Sequence, residues 1–76
     1  MTTKQKQAIY EYICAKPAHR RAMKREKTLR DQFRASPHLS ADWYSLRAAY
    51  NEAESALYQL ERKLIAAECK KRGITA

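Results

Sequence analysis

The sequence predicts an all-α protein: a helical hairpin or three-helix arrangement, with a long C-terminal helix packed antiparallel on a bent N-terminal arm. Three observations lead there. Among 76 residues there are one glycine and two prolines, too little turn punctuation for a sheet. The strong helix formers Ala, Lys, Arg, Glu, Gln and Leu dominate, and β-branched residues are few. From Trp43 to Ala67, apolar residues recur at alternating spacings of three and four without a slip. A chain this short forms one domain at most, taken here as residues 1–76. Such a domain buries only about 60–65% of the surface that its unfolded chain exposes.

Helix 1 is expected over about residues 3–15. Thr2 and Gln5 form a capping-box pattern, a hydroxyl at the N-cap and an amide side chain three residues on. The apolar side is Ile9, Tyr12 and Ile13. Pro17 then removes a backbone donor and pushes Lys16 away from helical dihedrals. At about 100° per residue, the Ile9/Tyr12/Ile13 side and the later Ala18/Ala22/Leu29/Phe33 side point in different directions. One straight helix cannot bury both, so a break or sharp bend is expected at Pro17. A fainter stripe, Ala8, Ala15, Ala22 and Leu29, runs straight through and supports the competing picture of a kinked continuous helix.

Helix 2 is expected over about residues 17–34, with Ala18, Ala22, Leu29 and Phe33 as its buried stripe. Residues 36–40, SPHLS, form the turn. Pro37 cannot continue a helix, and Ser40 is a good N-cap for the next one. Leu39 is placed to pack on Tyr44 as a hydrophobic staple, and Asp42 suits the positive end of the helix dipole.

Helix 3 is expected over about residues 41–72. Its seam is heptad-like, with Trp43, Tyr50, Leu57 and Leu64 at one set of positions and Leu46, Ala53, Leu60 and Ala67 at the other. Leu57 and Leu60 fall at its centre. Lys70, Lys71 and Arg72 suit the negative end of the dipole, and Gly73 suits a left-handed cap. Helices 1 and 2 end to end match helix 3 in length, and the turn is short, which together imply an antiparallel hairpin.

The net charge of +8 is concentrated in one place. Residues 16–34 carry eight cations against Glu26 and Asp31, a local charge of +6. Arg20, Arg21, Lys24, Arg25, Lys27, Arg30 and Arg34 spread over a broad face opposite Leu29 and Phe33. Guanidinium groups grip phosphate oxygens bidentately, and several such contacts add through counterion release. The basic helix is therefore the candidate nucleic-acid contact, DNA or RNA, with weak sequence preference because Gln32 is its only amide. Tyr10, Tyr44 and Tyr58 are candidates for stacking on unpaired bases, against the plainer reading of half-buried packing residues. The plain reading of the basic face is a solvated surface partly neutralised by Glu54, Glu61 and Glu68, which recur every seven residues. Three acids cannot neutralise seven cations.

A second function class is an adaptor or inhibitor that binds an acidic protein through the basic helix or through the leftover stripe Tyr44, Tyr58 and Ile65. The same stripe makes a homodimer the expected assembly. No nucleophile–base pair, glycine-rich phosphate loop or His/Glu metal box is present, so no enzymatic activity, no cofactor and no metal site is expected. Cys14 and Cys69 are expected to be free thiols in a reducing, cytoplasmic setting. No leader-like apolar run precedes them, and no stretch has the length of a membrane span. A membrane surface is not an expected partner, since helix 2 has little apolar area beside its charges.

Overall fold

The computed structural model describes residues 2–74. Over these residues the chain forms three helices and no strand: α1 (Thr3–Cys14), α2 (Pro17–Ala35) and α3 (Ala41–Arg72). They have 12, 19 and 32 residues. The helix α3 packs against both α2 and α1, and the whole forms a rod of 49 × 20 × 18 Å.

The ends of the helices follow local chemistry. At α1 the capping box is complete: the Gln5 amide N–H donates to Thr2 Oγ1 at 3.1 Å, and the Thr2 N–H donates to Gln5 Oε1 at 2.9 Å. Ser40 caps α3, accepting from the Trp43 N–H at 3.1 Å. At the other end Gly73 lies at φ 70°, and the Gly73 and Ile74 N–H groups donate to the Lys70 and Cys69 carbonyls. This is a Schellman ending, and it folds Ile74 back onto the core beside Cys69.

Pro17 breaks the arm cleanly. Lys16 lies at ψ 136°, outside the helical region, and α2 restarts with Pro17 in its first turn and no side-chain cap. The two arms then use different sides of α3. Near the turn, Phe33 of α2 stands 5.2 Å from Trp43 and 6.0 Å from Tyr50 between ring centroids, and the His38 ring meets Trp43 edge-on at 5.0 Å. At the far end, Ile9 and Ile13 of α1 are fully buried with Cys69, and Leu64, Ile65 and Ile74 pack around them.

Several expectations are corrected here. Ala67 is exposed, while its neighbours Glu68 and Cys69 are buried. A straight α-helix drifts by about 20° per heptad relative to a strict seven-residue repeat. That drift is small; after the break at Pro17, α1 packs on a face of α3 turned about a quarter turn from the seam, where Ile65, Glu68 and Cys69 lie. Leu57 and Leu60 are half-buried, because a two-helix rod leaves one flank of each seam residue in solvent; only Ala53 of the seam is fully buried. Tyr12 is 42% exposed and works as a platform instead, with the Lys16 ammonium 5.1 Å and the Arg72 guanidinium 5.6 Å from its centroid. Ala18 is exposed, and the fully buried residue of α2 is His19. The buried line of α2 runs through His19, Ala22, Glu26, Leu29, Arg30 and Phe33. Leu39 is 56% exposed and Tyr44 54% exposed, so little apolar area is covered at the position expected for the staple. Leu39 instead takes the left-handed conformation, φ 62°, which carries the chain into Ser40.

Two stability outcomes follow. Ile13→Ala should cost about 2–4 kcal/mol, whereas Ala67→Glu should stay within about 0.5 kcal/mol of the parent, both read from urea denaturation midpoints. At position 39 an asparagine tolerates positive φ far better than a leucine, so Leu39→Asn should raise the melting temperature, with a gain of about 0.5–1 kcal/mol.

Candidate nucleic-acid interface

The basic face is built by α2, and its exposure follows from the buried line just described. Arg20, Arg21, Lys24, Arg25, Lys27 and Arg34 are all exposed. Arg30 is only partly exposed. Its side chain is 33% exposed, it pairs with Glu26 at 3.5 Å, and its Nε is buried without a partner. Lys27 pairs with Asp31 at 3.4 Å, both side chains well exposed, a contact worth little in water. Among the described residues, Arg20, Arg21, Lys24, Arg25 and Arg34 have no carboxylate within ion-pair distance.

The acidic edge of α3 does not neutralise them. Glu61 takes His19, Oε1 to Nε2 at 2.9 Å. Glu68 takes Arg72 of its own helix at 2.7 Å. The Glu54 carboxylate hydrogen bonds the Tyr50 hydroxyl and, with burial and with Glu26 nearby, raises its pKa against the opposing pull of Arg30. Among the described residues, none of the three makes an ion pair with an exposed cation of α2.

Arg21, Lys24, Arg25, Thr28 and Leu29 line an open groove of about 390 Å³ together with Ala49 of α3. Three cations stand over an apolar floor there. Thr28 and Ala49 were not singled out by sequence reasoning, because the groove exists only where the small Ala49 lets the rim of α2 stand proud of α3. A second, apolar cleft of about 460 Å³ lies between α1 and α3, with Ile9, Tyr10 and Ile65 in its wall.

The candidate partner stripe divides. Tyr44 and Tyr58 stay exposed at 54% and 60%, with the Arg62 guanidinium 5.8 Å from the Tyr58 centroid. Ile65 is half-buried against Ile9, Ile13 and Cys69, so it belongs to the core of α1 and α3 as much as to any surface. Tyr10 is 47% exposed, and its ring meets His19 edge-on at 6.3 Å. The Tyr10 hydroxyl pKa is raised, chiefly by the charge of Cys14, then by that of Glu61, then by its hydrogen bond to Cys14.

His19 is the residue that sequence reasoning missed. It is 0% exposed and lies where all three helices meet, with Tyr10 on α1 and Glu61 on α3. Its Nε2–H donates to Glu61, and Nδ1 is buried without a partner. A usable signal was present: His19, Ala22, Glu26, Leu29 and Phe33 sit at helical spacing, but three polar or small members hide the stripe from a hydrophobicity reading. Among the described residues no helix is long and apolar enough to cross a membrane, and no group of three or more His, Cys, Asp and Glu side chains is placed to hold a metal ion. No protein-family model matches the chain, and no curated protein or solved structure is detectably similar to it.

The His19–Glu61 contact ties α2 to α3 where the arm bends. Glu61→Ala leaves a buried imidazole with neither nitrogen partnered and should cost about 1–3 kcal/mol. Glu61→Gln keeps an acceptor and should cost less. A urea midpoint for Glu61→Ala equal to that of the parent would show that the contact contributes nothing.

Proposed function

We propose that this protein binds nucleic acid through the exposed cations of α2, gripping phosphates with weak preference for sequence. The observation that carries the reading is the set of five exposed cations on one helix, Arg20, Arg21, Lys24, Arg25 and Arg34, none with a carboxylate in ion-pair distance. Crowded like charges on one helix destabilise it, because pairs at i,i+4 such as Arg20–Lys24 and Arg21–Arg25 repel. A polyanion removes that repulsion and releases its own condensed counterions. Arg20, Arg21, Lys24 and Arg25 lie within two turns of one helix, close enough to meet a single nucleic acid together.

An acidic protein is the second reading, since the same cations and the exposed Tyr44 and Tyr58 would suit an acidic surface edged with apolar groups. The two differ in what the isolated protein binds. With five phosphate contacts, log affinity for duplex DNA should fall with log salt at a slope of about −4 to −5. Arg21→Glu with Arg25→Glu should weaken binding to all sequences about equally, because phosphate contacts carry no base information. Lys70→Glu with Lys71→Glu, at the far end of α3, should have a much smaller effect. Titration of labelled duplex and single strands at low salt reads all three. No binding at low salt to any nucleic acid would overturn the proposal and leave the acidic protein in front.

A further inference from the structure

The buried line of α2 defines the opposite line on its solvent side. Lys24, Thr28 and Asp31 lie there, at spacings of four and three, and all three are exposed. They form the crest of the helix. Arg21 and Arg25 fall on one shoulder beside it, and Arg20, Lys27 and Arg34 fall on the other. The cations are thus divided between two sides of a crest that is mixed in charge, with Asp31 in its midst.

That division has a geometric meaning. A helix lying on a single phosphate chain gains from one row of cations and loses from a carboxylate at its point of closest approach. A helix lowered into a groove meets a phosphate chain on each side and base edges beneath. There an exposed carboxylate is tolerated, because it faces cytosine amino groups and not phosphates. The major groove of B-form DNA is about 12 Å wide, and an α-helix with its side chains is about 10–12 Å across. The major groove of A-form RNA is deep and narrow and does not admit a helix. The fold leaves α2 free to enter: α3 backs its buried line, and α1 turns away at Pro17 to pack on the far end of α3.

Resting on the nucleic-acid reading above, we infer that α2 inserts into the major groove of B-form duplex DNA, with its two cationic shoulders on the two phosphate chains and Lys24, Thr28 and Asp31 toward the bases. From position 24 to position 31 the crest rises about 10.5 Å, close to three base steps. Threonine contacts any base and aspartate takes a single cytosine amino group, so Lys24 alone on the crest could bridge a guanine, and no arginine, asparagine or glutamine stands there to separate bases strongly. The helix therefore selects the form of the duplex strongly and its sequence weakly. The exposed Lys27–Asp31 pair, 3.4 Å long, opens at little cost when Lys27 turns to a phosphate.

The test uses the full chain with three labelled probes at one low salt concentration: a DNA duplex, an RNA duplex of the same sequence and the single DNA strand. The DNA duplex should bind at least about tenfold tighter than the RNA duplex, and bound protein should protect guanine N7, a major-groove atom, from dimethyl sulfate. Thr28→Trp places a bulky ring on the crest, away from the buried line; it should weaken binding to the DNA duplex at least about fivefold while leaving the single strand unaffected. Equal affinity for the two duplexes, unprotected N7, or an indifferent Thr28→Trp variant would each overturn groove insertion while leaving phosphate binding in place. No binding to any probe would overturn both.

Discussion

The break at Pro17 sets the arrangement of everything else in this protein. Proline lacks the backbone N–H that an uninterrupted helix would use, and it drives Lys16 to extended dihedrals. Had the arm been straight, its two apolar sides would have faced different directions and one would have stayed in water. The break lets α1 and α2 turn independently onto α3. It also brings Tyr10, His19 and Glu61 from three helices to a single junction. The cost is visible there: a buried imidazole with one nitrogen bonded and one not.

A rod two helices thick has no deep interior, and the distribution of burial reflects it. The fully buried apolar side chains are Ile9, Ile13, Ala53 and Cys69, and most seam residues of α3 are half-exposed. Stability is therefore spread over caps, ring contacts and stems lying along the surface. The two ends differ in kind. The turn end is aromatic, with Phe33 between Trp43 and Tyr50, whereas the far end is aliphatic and closed by the Schellman turn that brings Ile74 inward. Ala49, a small residue of α3, lines the groove beneath Arg21, Lys24 and Arg25.

The acids and cations of the molecule are sorted by this geometry. Glu61 and Glu68 are taken up at the arm–α3 contact, and Glu26 draws Arg30 into the helix interface. What is left on α2 is a surface of exposed cations with few local partners. A polyanion beside such a surface relieves its self-repulsion, and that is the physical basis for the proposed contact with phosphates.

The sequence by itself determined whatever depends on neighbours a few residues apart. The capping box at Thr2 and Gln5, the Ser40 cap, the Gly73 ending, the break at Pro17 and the all-α class are consequences of local hydrogen bonding and dihedral sterics, so they were legible before any tertiary contact was known. The concentration of charge on α2 was legible for the same reason. The tertiary structure alone decided which residues occupy the interfaces. The bend places α1 on a band of α3 rotated from the strict heptad seam, so Glu68 and Cys69 are buried where Ala67 was expected. His19 and Arg30 are polar residues on a buried line, and no hydrophobicity pattern marks such positions; their burial depends on Glu61 and Glu26 being within reach. Leu39 takes a positive φ in the turn into α3, a demand set by where the two helices must meet. The shape of the cationic surface, two shoulders and a crest, likewise emerged only once the buried line of α2 was defined by its partner helix.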